Sequence, residues 1–147
     1  MAILKEIITN SPEETENVGF EFAKEMENNL SLPSFIALYG DLGVGKTAFV
    51  RGLASVIAPN SKVKSPTYTV VNEYKGDGCK LYHFDVYRIE DDDDLYSIGF
   101  YDYIKRGISV CEWSENIPYA IPEDAYRVTI ERVPEDTGKR KITVVRG

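Results

Sequence analysis

The chain has 147 residues, 43% of them apolar or aromatic and 28% charged, with 17 Lys and Arg against 24 Asp and Glu for a net charge of −7. That length predicts one domain spanning 1–147, and the composition excludes collagen-like, disulfide-scaffold and disordered classes. The acidic balance argues against an autonomous nucleic-acid binder, whose phosphate contacts draw on clustered Lys and Arg, so stable direct nucleic-acid binding is not expected. Five of the acids sit together at Glu90–Asp94; without them the balance would be −2 rather than −7. No apolar run approaches the roughly 18 residues of a membrane span, and no charged-then-apolar leader opens the chain, so no membrane association is expected. Cys79 and Cys111 are too few for a disulfide framework and read as reduced thiols of a cytoplasmic protein.

Ile3 to Thr9 alternates as a first strand. Ser11-Pro12-Glu13-Glu14 predicts a helix start: a serine N-cap, proline at the first helical position and glutamate at the third to close a capping box. Val18, Phe22 and Met26 continue that helix as one apolar stripe. Phe35 to Tyr39 is a buried-strand run leading straight into a glycine-rich turn, and Thr47 to Ile57 carries apolar residues at helical spacing. Thr69–Tyr74 and Lys80–Tyr87 predict a strand pair turned at Gly76-Asp77-Gly78. A helix over Leu95–Ile104, a short strand over Ile108–Cys111, and a last strand pair, Tyr126–Val133 and Lys141–Arg146, around Pro134–Gly138 complete the chain. Strand–helix alternation first and strand pairs afterwards predict an α/β fold: a mixed sheet flanked by helices, P-loop NTPase-like, with antiparallel strands toward the C-terminus.

The chemistry concentrates at Gly40-Asp41-Leu42-Gly43-Val44-Gly45-Lys46-Thr47, which satisfies G-x-x-x-x-G-K-[ST] between an apolar strand and a helix. Its glycines let the backbone curl so that successive N–H groups point at phosphate oxygens, and the following helix adds its positive N-terminal end. Lys46 is expected to reach the β- and γ-phosphates and the Thr47 hydroxyl to bind Mg²⁺. Such a loop needs an acid on a neighbouring strand, for the metal or for the attacking water. Two acids end apolar runs, Asp85 after Leu81–Phe84 and Glu112 after Ile108–Cys111, and each is also readable as a solvated strand end. Ser65-Pro66-Thr67-Tyr68-Thr69 lies where nucleotide hydrolases carry a switch segment, with Thr67 as its γ-phosphate or metal contact; an ordinary proline loop is the plainer alternative.

The strings GDLGVGKTAFVRG, SPTYTVVNEY, LYHFDVYRI and CEW, in this order from the first strand to the terminal hairpin, resemble the bacterial TsaE family, the small ATPase required to make threonylcarbamoyladenosine in tRNA. The resemblance implies ATP rather than GTP, Thr47 and Glu112 as Mg²⁺ contacts, and Asp85 as an acid needed for hydrolysis. It implies that Trp113 lies near the nucleotide and that the stretch around Pro12 approaches the base side. Gly138-Lys139 matches a Gly-Arg pair whose arginine helps bind ATP; here lysine holds that position and Arg140 follows. The implied partner is the TsaB–TsaD pair, reset between turnovers by ATP hydrolysis, with tRNA engaged only through that complex.

Two other functions compete: a small-molecule P-loop kinase, and a nucleotide-gated interaction module that does not hydrolyse. Only 35 residues follow Glu112, little for a kinase lid, and no Asn-Lys-x-Asp string marks a GTPase. His83, the single histidine, reads chiefly as a structural residue, Glu90–Asp94 as acids capping the helix after it, and Arg88 as either structural or phosphate-facing.

Overall fold

The structure, a computed structural model, describes residues 2–28, 34–41 and 43–146. One seven-stranded sheet organises it, in the order β1-β7-β6-β2-β5-β4-β3. The strands are β1 (Ala2–Thr9), β2 (Ser34–Tyr39), β3 (Val71–Lys75), β4 (Lys80–Asp85), β5 (Ile108–Glu112), β6 (Tyr126–Val133) and β7 (Asp136–Arg146). The helices are α1 (Pro12–Asn28), α2 (Lys46–Ile57), α3 (Asp92–Ser97) and α4 (Phe100–Tyr103). Strands β4, β5, β2 and β6 run parallel to one another, while the pairs β3–β4, β6–β7 and β1–β7 are antiparallel. The mixed α/β sheet expected from the sequence is the one observed.

The central strands are apolar on both sides because both faces are covered. Ile36 and Leu38 of β2 point to one face, where they pack with Phe22 and Met26 of α1 and Phe49, Val50 and Leu53 of α2. Phe35 and Ala37 point to the other, with Phe84, Leu95 and Phe100. Each fully buried side chain of this kind contributes about 1.5–3 kcal/mol. Helices α1 and α2 meet backbone to backbone: a Cβ on Gly52 would lie 2.0 Å from Glu16 O, and one on Gly19 would lie 2.2 Å from Phe49 O.

Ser11 caps α1 as expected, accepting from Glu14 N–H at 3.2 Å, but Glu14 returns its bond to Asn10 N–H rather than to the cap residue itself. Other boundaries depart from the sequence pattern for identifiable reasons. The strand expected over Thr69–Tyr74 begins only at Val71, because Val70 takes φ 69°, donating its N–H to Pro66 O and accepting from Asp85 N–H. Strand β4 stops at Asp85 instead of Tyr87, as the Tyr87 N–H turns back onto Asp85 Oδ1. The helix expected over Leu95–Ile104 is broken by Gly99 at φ 77°, giving α3 and α4. Within the acidic block, Asp91 accepts from Asp94 N–H and Asp94 from Glu90 N–H, so these acids cap α3. Strand β7 starts at Asp136, five residues before the expected Lys141, and the final hairpin turns at Pro134-Glu135.

Candidate nucleotide site

The loop from β2 to α2 opens at the carboxyl edge of the parallel strands, where ligands of open α/β sheets bind. Its glycines adopt the conformations that only glycine takes without strain: φ 143° at Gly40, 78° at Gly43 and 113° at Gly45. At Gly40 there is no room for a side chain either, since a Cβ would lie 2.5 Å from Ile130 O. Val44 is buried under the loop, Asp41 is exposed, and Leu42 lies outside the described residues.

A cavity of about 480 Å³ lies over this loop, lined by Gly43, Gly45, Lys46, Thr47, Ser65, Thr67, Asp85, Tyr87, Glu112 and Trp113. Every residue singled out as catalytic or metal-binding (Lys46, Thr47, Thr67, Asp85 and Glu112) is therefore on one wall or another of the same space. Lys46 is only 5% exposed; its Nζ donates to Gly40 O at 2.8 Å and sits 3.8 Å from the centre of the Trp113 ring. Burial pulls the lysine below its ordinary pKa, while Glu112, Glu115, Asp85 and Asp41 pull it back up. Trp113 faces the ammonium from a left-handed backbone at φ 62°, and Tyr87 packs on its ring.

Asp85 and Glu112 end neighbouring parallel strands in direct register, so both carboxylates emerge on the α2 face within one strand spacing. Asp85 accepts from Tyr87 N–H at 2.9 Å and from the Thr67 hydroxyl at 3.3 Å, and Ser65 Oγ lies 2.7 Å from Thr67 Oγ1. Glu112 Oε2 lies 2.5 Å from His83 Nε2. A hydroxyl and two carboxylates form a hard-oxygen donor set, which suits Mg²⁺ with phosphate and water completing its shell. Curled backbone N–H groups, a helix N-terminus and a buried ammonium suit a polyphosphate. The residues present fit both groups.

Pro12 is not in the cavity wall. It opens α1, whose first turn abuts the loop: a Cβ on Gly45 would lie 3.5 Å from Thr15 Cγ2. Lys139 is not in the cavity wall; its Nζ lies 4.0 Å from Asp136 Oδ2, three residues earlier on the same strand. Arg140 is the cation that reaches the loop, donating from Nε to Val44 O at 3.0 Å and from Nη1 to Thr137 O at 2.7 Å. Arg132, opposite Arg140 on β6, also comes close, its Nη2 standing 3.3 Å from where a Gly43 Cβ would be. Sequence reading missed Arg132 and Tyr87. The former could have been found from two arginines placed opposite each other in a hairpin, a repulsive pairing unless an anion lies near.

Comparison with known proteins identifies the family. A family profile described as "Threonylcarbamoyl adenosine biosynthesis protein TsaE" matches residues 9–142. Among relatives named "tRNA threonylcarbamoyladenosine biosynthesis protein TsaE", that of Aquifex aeolicus is 38% identical over 148 residues, covering 99% of each chain. Those of Bacillus subtilis and Rickettsia bellii are 34% and 32% identical, each aligned over 92% of this chain and over 81% and 92% of their own. The crystal structure of YdiB from Bacillus subtilis superposes with a TM-score of 0.74 at 27% identity, covering 100% of this chain and 89% of that one. The chain belongs to the TsaE family.

Proposed function

We propose that this protein is a cytoplasmic Mg²⁺-dependent ATPase that serves threonylcarbamoyladenosine modification of tRNA by supporting turnover of the TsaB–TsaD complex. The observation that carries the reading is the convergence of Lys46, Thr47, Thr67, Asp85 and Glu112 on one cavity beside a glycine-rich loop. Among the described residues no helix is long and apolar enough to cross a membrane, and the family's role in tRNA modification supports the cytoplasmic reading.

The loop N–H groups cradle the phosphates, and Lys46, which commits one N–H to Gly40 O, has two further donors for phosphate oxygens. Arg140, rather than Lys139, is the cation of the terminal hairpin that stands against the loop. Thr47 and Glu112 would hold the metal, which would supply positive charge against the negative charge that grows on the phosphate oxygens. Asp85 accepts a hydrogen bond from the attacking water and orients it for in-line approach; Thr67, now bonded to Asp85, turns toward the γ-phosphate and orders its segment. Trp113 and Tyr87 cover the site against bulk water. Hydrolysis then releases the Thr67 segment, and with it the hold on the partner.

Among the described residues that line the cavity there is no arginine, which supports a chain that turns over slowly alone and is sped by a partner's contribution. Phosphate release measured with and without TsaB–TsaD tests this. The expected rise is at least about tenfold, or about 1.4 kcal/mol of barrier. Equal rates would refute partner coupling; failure to affect reconstituted tRNA threonylcarbamoylation would refute the wider function.

A further inference from the structure

His83 lies beneath the cavity, on β4 two residues before Asp85, and is 0% exposed. Both ring nitrogens are engaged. Nε2 lies 2.5 Å from Glu112 Oε2, and Nδ1 lies 3.0 Å from the hydroxyl of Tyr74. Tyr74 is itself buried on β3. Its hydroxyl donates to Lys64 O at 3.1 Å and accepts from Lys64 N–H at 3.2 Å. A line of hydrogen bonds therefore crosses β5, β4 and β3, from a carboxylate in the cavity wall to the backbone just before Ser65-Pro66-Thr67. The far end of that segment is fastened too, because Asp85 N–H donates to Val70 O at 2.9 Å.

A histidine that merely filled the core would need partners for its nitrogens, but they would not have to be a carboxylate of the cavity and the root of the Thr67 segment. Glu112 is 5% exposed, so its carboxylate depends on fixed donors in place of water. With Oε2 held by His83, a cation in the cavity is met through Oε1, from one carboxylate orientation. Acids and imidazoles behind a metal contact commonly act in this way, by fixing the direction of the atom that binds.

The geometry points to His83 as a positioning residue: it aims Glu112 at Mg²⁺ and, through Tyr74, sets the metal acid and the Thr67 segment in one frame. This inference rests on the proposed reading of Glu112 as the Mg²⁺ contact.

The test is a Mg²⁺ titration of the full chain with a fluorescent ATP analogue, on His83→Asn, His83→Gln, Tyr74→Phe and Glu112→Gln. Asparagine can place its amide near the Nδ1 position and keep Tyr74, whereas glutamine can place its amide near Nε2 and keep Glu112. The Mg²⁺ concentration for half-maximal binding is expected to rise at least about tenfold in His83→Asn, the scale of losing a residue behind a metal contact, and to return to within about threefold of the wild type in His83→Gln. Tyr74→Phe, which unpins the ring from the far side, is expected to raise it at least about threefold. Melting without nucleotide separates the bland role: a purely structural histidine lowers the melting temperature of both His83 variants while leaving their Mg²⁺ midpoints unmoved, and that result overturns the inference. Should His83→Asn not fold, an unmoved midpoint in folded Tyr74→Phe overturns it equally. A shift in Glu112→Gln without one in His83→Asn defeats the positioning role alone. No shift in Glu112→Gln defeats the Glu112 assignment and this inference with it.

Discussion

Replacing Lys46 with alanine removes the most deeply placed cation of the site, and its consequence can be sized from the contacts. Two unit charges about 4 Å apart attract by about 4 kcal/mol at the effective dielectric of about 20 that suits partly buried pairs. Against this, Lys46 must give up its place over Trp113, a cation–π contact at 3.8 Å worth about 0.5–2 kcal/mol. It keeps the bond to Gly40 O, since an ammonium has three donors and that bond uses one. The net is about 3 kcal/mol, so Lys46→Ala is expected to weaken Mg²⁺–ATP binding by about 100-fold or more. Isothermal titration calorimetry measures it, with thermal melting confirming that the variant is folded. An affinity within about threefold of the wild type, about 0.65 kcal/mol, would remove Lys46 from its role.

Glu112→Ala is expected to weaken nucleotide binding chiefly when Mg²⁺ is present, whereas Asp85→Ala mainly lowers phosphate release; Mg²⁺ titrations and single-turnover assays on both variants check this, and interchanged phenotypes would reverse the assignment. Gly52→Ala drives a methyl to 2.0 Å from Glu16 O, so an overpacking cost of up to about 3 kcal/mol and a melting temperature lower by about 6–12 °C are expected. An unchanged melting point would mean that α1 and α2 do not meet at that glycine. Cys111 is fully buried and its thiol is pushed up to about 12 from an ordinary 9.0 by loss of solvation. The folded state thus holds a proton that the unfolded chain releases, and stability falls as pH rises from 9.0 to about 12. Denaturant titrations are expected to show a shallower fall in Cys111→Ala, and a thiol reagent at pH 8 is expected to label Cys79 but to reach Cys111 only on unfolding.

Much of the fold was legible because the periodic signals were strong. The run from Phe35 to Tyr39 is apolar at every position, as a strand covered on both faces must be, and the glycine-lysine-threonine string after it leaves little choice of local structure. What was not legible depended on contacts made across the chain. Nothing in the sequence around Val70 announces a β-branched residue at positive φ; it is held there by bonds to Pro66 and to Asp85, and the latter lies on a different strand. Gly99 breaks a helix whose apolar spacing runs on without interruption. Similarly, Lys139 and Arg140 are adjacent in sequence, and only the register of β7 against β6 turns the arginine toward the loop while its neighbour faces Asp136. The site acids were found at their strand ends, but His83 looked like a core residue because its two partners lie 9 positions before and 29 positions after it.

Strand order, which no local pattern reveals, also bears on the different work proposed for the two acids. Strand β5 lies directly beside β2, and β4 lies beyond β5. Adjacent strands are about 4.8 Å apart, so Glu112 leaves the sheet about one spacing from the strand that launches the glycine-rich loop, and Asp85 about two. Thr47 is anchored at the start of α2 by that same loop. A cation held by Thr47 is therefore within reach of Glu112 first, while Asp85 stands further along, beside Thr67 and the segment after α2. Had β4 been the inner neighbour of β2, the same two sequence motifs would have called for the opposite assignment. The direct register of Asp85 with Glu112 fixes the remaining variable, because it brings both carboxylates to the same height at the sheet edge and leaves only distance from the loop to tell them apart.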